Sequence, residues 1–178
     1  MSRRNSIYAI PCAALALVAF VAYAADAPNL GRVATPEEVA AGDLIVPPSG
    51  ENLPQGSGSV AQGAMVYAEK CVACHGVNGE DGPLGRLSGG MGTIGTDDPI
   101  RTVSSYWPYA TTIFDYVRRA MPINAPQSLS NDEVYAVTAY LLSIDGIVDD
   151  DAVMNAETLP QVEMPNREGF IWAAQPGN

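Results

Sequence analysis

The stretch Cys71-Val72-Ala73-Cys74-His75 decides what this chain folds around. Two thiols separated by two residues and followed at once by an imidazole are the attachment sequence of c-type haem. The thiols form thioethers to the porphyrin vinyl groups, and the adjoining histidine reaches the iron from one side. We therefore predict one covalent haem c, attached through Cys71 and Cys74 and ligated by His75.

Other readings of these five residues explain less. A thioredoxin-like redox pair is expected after a strand in a βαβ unit, whereas a helical pattern precedes this motif and a glycine-rich loop follows it. A zinc site needs about four Cys or His ligands, and His75 is the only histidine in the chain. A disulfide between Cys71 and Cys74 would leave the neighbouring His75 unexplained.

Residues 1–24 have the pattern of a secretory signal peptide. Arg3 and Arg4 precede an apolar run over residues 7–21, and Ala22-Tyr23-Ala24 is a small-residue cleavage site. An uncleaved anchor is the alternative, although the run is short for a membrane span. Haem is attached to such proteins outside the cytoplasm, so we expect a periplasmic protein cleaved near Ala24 and not bound to the membrane afterwards.

The charge balance of the chain is strongly acidic. It has 20 acidic and 9 basic residues and a formal net charge of −11. Such an excess disfavours nucleic acid and anionic lipid surfaces as partners. It is compatible with a basic protein partner and equally with a solvated acidic surface that has no docking role.

Composition divides the remaining chain into three parts. Residues 25–58 form a predicted extended arm, rich in proline and glycine, with one short helix from Thr35-Pro36-Glu37-Glu38 to Gly42. Residues 59–146 are the predicted haem domain, and residues 147–178 are a predicted acidic tail. The tail ends in the apolar stretch Phe170-Ile171-Trp172, and whether arm and tail pack on their own domain or on a partner stays open.

The haem domain is predicted to be all-α, with three core helices. The first runs from about residue 60 to 71, the second from about 110 to 120, and the third from the capping box Ser130-Asn131-Asp132-Glu133 to Asp145-Gly146. Gly63 shares a helix face with Tyr67 and Cys71. A glycine there destabilises the helix by roughly 1 kcal/mol relative to alanine, which suggests that the third helix crosses at Gly63, through Tyr140 or its neighbours.

Between these helices the sequence offers candidates for contacts with the porphyrin. Residues 76–100 form a glycine-rich loop, in which glycine permits close approach of the backbone and positive φ. Trp107 or Tyr106 is a candidate hydrogen-bond donor to a haem propionate, although core packing explains these aromatics equally well. Arg86 and Arg101 are candidates to neutralise the propionates.

The second iron ligand is predicted to be Met121. With one histidine in the chain, two-histidine ligation is excluded, and a methionine thioether is the usual alternative. Met121 lies 46 residues beyond His75, at a proline that ends the second helix. Met65 sits on the first core helix and is excluded on that ground, whereas Met91 and Met164 stay open as alternatives.

Several of these features resemble the class I cytochrome c family, a small all-α fold around one haem. They are Gly63, Tyr67, the Cys71–His75 motif, Met121-Pro122 and the capped last helix. Longer stretches resemble SoxD, the family of cytochrome subunits of bacterial sulfane (sulfite) dehydrogenases. Those stretches include Leu30–Pro36, Gly58–Gly63, Ser105–Thr112, Asp115–Pro122, Ser130–Ala136 and Met164–Arg167.

The resemblance implies a periplasmic complex with a molybdenum-cofactor dehydrogenase subunit that oxidises sulfane sulfur or sulfite. The cytochrome would accept electrons one at a time and pass them to a downstream cytochrome c or oxidase. This sequence has one haem motif where longer family members have two. The alternatives are a free electron shuttle, whose arms fold on its own domain, and a haem enzyme acting on a small sulfur compound or peroxide.

Overall fold

The computed structural model describes residues 31–171, apart from the side chains of residues 40 and 41. The predicted signal peptide and Trp172 lie outside these residues. The chain divides into two compact units at Gly42. In the described part of the first unit, helix α1 spans Pro36–Gly42. The Glu38 N–H donates to Thr35 Oγ1 at 3.3 Å, as expected of the predicted capping residue.

The second unit, from Asp43 onward, is mostly helical, and the predicted all-α class I cytochrome c fold is confirmed. No helix within residues 31–171 is long and apolar enough to span a membrane. The elements are β1 (Ser57–Ser59), α2 (Val60–Lys70), α3 (Val72–His75), α4 (Val103–Tyr106), α5 (Ala110–Ala120), α6 (Asn131–Ile144) and β2 (Val153–Asn155), with 3₁₀ turns at Val77–Gly79 and Leu159–Gln161.

Helices α2 and α6 cross at Gly63, as the sequence predicts. A Cβ added to Gly63 would collide with the carbonyl oxygen of Ala136 and lie 2.7 Å from Tyr140 Cβ. The capping box also forms, since the Glu133 N–H donates to Ser130 Oγ at 3.3 Å and the Ser130 N–H donates to Glu133 Oε2 at 2.8 Å. Glycine at 63 therefore sets the distance between the two helices.

Two features of the second unit have no counterpart in the sequence prediction. Strands β1 and β2 pair antiparallel, with Ser57 opposite Asn155 and Ser59 opposite Val153. Helix α4 begins at a capping box in which the Ser105 N–H donates to Thr102 Oγ1 at 3.1 Å. The small sheet ties the segment before α2 to the segment after α6.

Residues 43–56, which we call the strap, pack on the helices of the second unit. Val46 is buried, and the Tyr135 hydroxyl of α6 donates to the carbonyl of Pro54 at 2.8 Å. The Asn131 amide at the start of α6 donates to the carbonyl of Gln55 at 3.3 Å. The part of the predicted arm that follows Gly42 thus contacts its own haem domain.

The segment after α6 also packs on this domain. Met154, Leu159 and Met164 are buried in the core. The Asn166 amide donates to the carbonyl of Tyr106 at 2.7 Å. Of the predicted apolar end, Ile171 is 91% exposed.

Candidate haem site

The Cys71–His75 motif forms a single helical turn directly after α2. The His75 N–H donates to the carbonyl of Cys71 at 3.0 Å, and the Gly76 N–H donates to that of Val72 at 2.8 Å. This turn places Cys71, Cys74 and His75 along one cavity. The backbone itself therefore fixes the relative positions of the two thiols and the imidazole.

His75 is oriented by a hydrogen bond of its ring. Nδ1 lies 3.0 Å from the carbonyl oxygen of Gly85. A carbonyl only accepts, so Nδ1 carries a proton, and Nε2 is the nitrogen whose lone pair is free in the neutral ring. That tautomer is the one in which a histidine ligates a metal through Nε2, with its other nitrogen held by the surrounding protein.

The loop after His75 depends on glycine, and the positive φ expected of its glycines is present at Gly76. Gly76 has φ of +75°, and a Cβ there would collide with the carbonyl oxygen of Glu80. A Cβ at Gly82 would collide with the backbone of Cys74 and His75. The loop passes so close to the attachment turn that only glycine fits at both positions.

A cavity of about 490 Å³ opens beside this turn. Four of the predicted site residues besides the attachment motif meet there, namely Met121, Trp107, Arg86 and Arg101. Helix α5 contributes Ile113, Tyr116 and Val117 to the lining. Further lining residues are Tyr67, Lys70, Leu84, Leu87, Thr102, Val103, Pro122, Ile123, Asn124, Leu129, Val137 and Leu141.

Charge is unevenly distributed at the cavity. Lys70, Arg86 and Arg101 line it, whereas no Asp or Glu in the described part of the chain does so. Lys70 pairs with Glu133 at 2.6 Å and Arg86 approaches Glu80 at 3.8 Å, so both have acidic partners outside the lining. In a chain with 20 acidic residues this absence is notable. The cavity suits a ligand that brings its own negative charge.

Two titratable groups beside the attachment turn have shifted pKa values. Burial, with a smaller contribution from Cys74, raises the pKa of the Cys71 thiol to about 11, so the thiol is neutral near pH 7. A reactive redox cysteine has a lowered pKa instead. Burial likewise raises the pKa of Tyr67 to about 12, and its hydroxyl donates to the carbonyl of Gly76 at 2.9 Å.

These observations fit a covalently attached haem. The cavity has mostly apolar walls, two free thiols, an imidazole that can present Nε2 to a metal, and three lining cations, of which Lys70 and Arg86 already have acidic partners. Within residues 31–171, no group of three or more Cys, His, Asp or Glu side chains is arranged to bind a bare metal ion. The donor set thus favours haem over a zinc site.

Comparison with known proteins agrees with this geometry. Residues 60–145 match the family model of cytochrome c. The chain is also similar to a chain in the crystal structure of the sulfane dehydrogenase SoxCD from Paracoccus pantotrophus, with 44% sequence identity and a TM-score of 0.72. The match covers 82% of this chain and 72% of that one. The chain belongs to the cytochrome c family. The predicted resemblance to SoxD-like class I cytochromes c is confirmed.

A second relative of this cytochrome is a thiosulfate dehydrogenase from Stutzerimonas stutzeri (strain A1501). It is 30% identical over 95 residues. The match spans 51% of this chain and 29% of the relative, so the cytochrome corresponds to less than a third of that protein.

The methionines of this cytochrome have distinct locations. Met121 lines the cavity, and no other methionine within residues 31–171 does so. Met164 is 3% exposed and belongs to the core under the C-terminal segment, whereas Met65 and Met91 lie on the surface. These locations favour Met121 over the two alternatives left open by the sequence.

The two aromatic candidates, Trp107 and Tyr106, also have different locations. Trp107 lines the cavity and meets the Tyr116 ring edge-on at 5.6 Å between centroids. The Tyr106 ring packs against Phe170 at 5.2 Å, and Tyr106 is not among the described residues that line the cavity. The location of Tyr106 therefore does not support a direct contact with a propionate. Although Tyr106 and Trp107 are neighbours in sequence, the end of α4 directs one ring to Phe170 and the other to the cavity.

The candidate ligands His75 and Met121 both line the cavity, but sequence reasoning missed several residues of its walls. Tyr116, Leu129, Val137 and Leu141 line the cavity and were not among the predicted site residues. The available signal was the helical spacing on α5, where Ile113, Tyr116 and Val117 share one side. That spacing identifies a buried face without showing whether protein or haem covers it.

Proposed function

We propose that this protein is the electron-transfer subunit of a molybdenum-dependent dehydrogenase of sulfur compounds in the periplasm. It accepts electrons one at a time from a molybdenum-cofactor subunit that oxidises sulfane sulfur or sulfite, and passes them to a downstream cytochrome c or oxidase. The observation that carries this proposal is the 44% identity to a chain of SoxCD over 82% of the sequence. Similarity to a thiosulfate dehydrogenase supports a role in sulfur oxidation.

The residues of the cavity have separate roles in this proposal. Cys71 and Cys74 attach one haem, His75 ligates the iron through Nε2, and Met121 supplies the second ligand. When bound, haem provides a one-electron couple between ferric and ferrous iron. A neutral thioether raises the reduction potential relative to a second imidazole. Trp107 and Arg86 are proposed to contact the propionates, and Arg101 shares this role.

The walls of the cavity also contribute to the reduction potential in this proposal. Ile113, Val117 and Leu141 are buried apolar side chains that line it. An apolar, rigid lining excludes water and tunes the potential of a metal centre. In this proposal the protein holds and tunes the iron, while the oxidation of sulfur takes place on the partner subunit.

One observation favours a second candidate, a free electron shuttle. The strap and the segment after α6 both pack on their own haem domain, with Val46, Met154 and Met164 buried. A free shuttle requires this self-packing, whereas an electron-transfer subunit would also have surface left for its partner. The two candidates share the haem site and differ in whether a stable complex exists.

The experiment that separates them is affinity purification of the tagged full-length protein from its native periplasm. Absorption spectra and a molybdenum assay are measured on the co-purifying fraction. A stoichiometric molybdenum subunit whose sulfite or sulfane substrate reduces this haem would establish the dehydrogenase function. A lone haem protein with a methionine-ligated ferric spectrum would contradict it and favour the free shuttle.

A further inference from the structure

Helix α5 lines the candidate haem cavity along one of its sides. Ile113, Tyr116 and Val117 contribute to the lining, and the helix ends at its C-cap residue, Met121, which lines the cavity as well. Residues 113 and 117 lie one turn apart on the helix, and Met121 follows four residues later as its C-cap. The position of α5 thus decides where the Met121 side chain enters the cavity.

A different side of α5 binds the strap. Asp115 Oδ1 accepts a hydrogen bond from the Val46 N–H at 2.9 Å, and the Thr111 hydroxyl donates to the carbonyl of Pro48 at 3.2 Å. Arg118 donates to the carbonyl of Leu44 at 3.5 Å. Positions 111, 115 and 118 are four and three residues apart, so they form one stripe of the helix, distinct from the positions that line the cavity.

The side chains of Thr111 and Asp115 are buried. Thr111 is 1% exposed, Asp115 is 7% exposed and Val46 is 4% exposed. Arg119 also donates to Asp115, from Nε at 3.1 Å. A buried donor without an acceptor destabilises a fold much more than an exposed one. The strap can therefore keep these bonds only while α5 stays in one position.

The chain beyond Met121 offers little restraint of its own. Met121 and Pro122 are half-buried, and residues 123–128 are all exposed. On the third side of α5, the Phe114 ring packs on Tyr135 of α6 at 4.5 Å between centroids. Met121 is thus held in place by the helix that precedes it, α5, which packs between α6 and the strap.

We infer that Thr111 and Asp115 are positioning residues, through which the strap holds α5 and keeps the Met121 thioether at the iron. The inference rests on the proposed haem ligation by Met121 and deepens it. It assigns the proline-rich segment before the haem domain a role in the stability of the distal ligand. Loss of the bonds between the strap and α5 should make the thioether easier to displace without affecting attachment of the haem.

The test uses the ferric, full-length haem protein and imidazole as a competing iron ligand. The variants are Asp115→Ala and the milder Thr111→Val, and the matched control is Tyr135→Phe. The control removes the hydroxyl that holds the strap to α6 through Pro54 and leaves the bonds to α5 intact. Unfolding is measured in parallel, so that ligand displacement can be compared at equal stability. Asp115→Asn serves as the conservative rescue, because its amide oxygen can still accept from Val46.

We expect Asp115→Ala to raise the apparent affinity for imidazole about tenfold, which corresponds to about 1.4 kcal/mol. The thioether-to-iron absorption band of the ferric protein should weaken in parallel. Thr111→Val should act in the same direction with a smaller effect, Asp115→Asn should restore most of the difference, and Tyr135→Phe should leave the imidazole affinity within twofold of the wild type.

The outcomes separate this inference from the ligation on which it rests. If the wild-type ferric protein lacks the thioether band, the proposed ligation by Met121 is wrong and the inference is overturned with it. If the band is present and the α5 variants bind imidazole no better than Tyr135→Phe, ligation stands and the positioning role alone is overturned.

Discussion

The two sides of the candidate haem site are built in different ways. On the histidine side, all three attachment residues lie within five positions, and Nδ1 of His75 is held by a carbonyl ten residues away. On the methionine side, Met121 follows a helix whose Asp115 accepts a hydrogen bond from Val46, a strap residue 69 positions earlier. Local chain geometry thus positions one candidate ligand, whereas the other lies at the end of a helix held by tertiary contacts.

This contrast predicts that the two sides fail differently when they are damaged. Loss of the attachment residues should remove the haem. Loss of the methionine side should leave the haem in place and change its ligation and potential.

The largest effect is expected for the double substitution Cys71→Ser and Cys74→Ser. Without thiols no thioether can form, so no haem should stay attached after denaturation. The measurement is haem staining of the protein on a denaturing gel. Met65→Ala, which changes an exposed side chain on α2, is the control and should stain like the wild type. Attached haem in the double variant would refute the proposed attachment.

Met121→Ala should leave the haem attached and remove the second iron ligand. The ferric protein should lose its thioether absorption band, and the reduction potential should fall because water or hydroxide replaces a thioether that favours ferrous iron. Spectroscopy and redox titration measure both changes. The same substitution at the exposed Met91 is the control.

The Met121→Ala variant also tests the third functional hypothesis, a haem enzyme. A protein that acted directly on a peroxide or small sulfur compound would gain or keep turnover when its distal position is opened. We expect no such gain, and catalysis by the variant at the wild-type rate or above would count against an electron-transfer role.

Gly63→Ala should affect both the histidine side and the methionine side of the haem site, because the added Cβ pushes α2 away from α6. The new Cβ would collide with the Ala136 carbonyl and approach Tyr140 Cβ at 2.7 Å. Overpacking of this kind destabilises by about 1–3 kcal/mol and occasionally more. Denaturant unfolding measures the change. Gly42→Ala is the control, since a Cβ there meets no atom within 4 Å, and a similar loss in both variants would contradict the close crossing.

The smallest effect is expected at the ion pair between Lys70 of α2 and Glu133 of α6, at 2.6 Å. The hydrogen bond from Lys70 holds the pKa of Glu133 below its usual value. A lowered folded-state pKa contributes stability above the unfolded pKa of about 4.3, and this contribution is lost as the pH falls through the folded-state pKa.

Glu133→Gln should therefore lower the free energy of unfolding at pH 7 by up to about 1 kcal/mol. The difference from wild type should shrink as the pH falls below about 4. Unfolding curves at several pH values measure it. The control is Glu157→Gln, which changes an exposed carboxylate after β2. Asp132→Asn is less suitable, because Asp132 accepts a hydrogen bond from the Ser57 N–H. A difference that is independent of pH would exclude the ion pair as its cause.

The sequence predicts the local parts of this structure well. Helix α5 spans the predicted residues 110–120, and the capping box at Ser130 and the crossing at Gly63 are both present. Capping, helical periodicity and glycine requirements act over a few residues, so their signals are read directly from the chain. The histidine side of the site consists of such signals.

The parts that sequence reasoning missed depend on distant residues. Strands β1 and β2 are three residues each, too short for an alternating pattern to be recognised. The bond between Asp115 and the Val46 N–H uses a backbone donor, which every residue except proline has, so no side-chain pattern marks it. The different surroundings of Tyr106 and Trp107 likewise follow from tertiary packing.

No acidic side chain within residues 31–171 lines the cavity, and two of its three cations, Lys70 and Arg86, already have acidic partners. The third, Arg101, forms no ion pair with a carboxylate in the described part of the chain, and its guanidinium lies 5.8 Å from the centroid of the Tyr106 ring. A cation without a carboxylate partner attracts anions from solution, and dissolved salt competes for it. The Debye length at physiological ionic strength is about 8 Å, so this attraction acts over a few layers of water and weakens as salt is added.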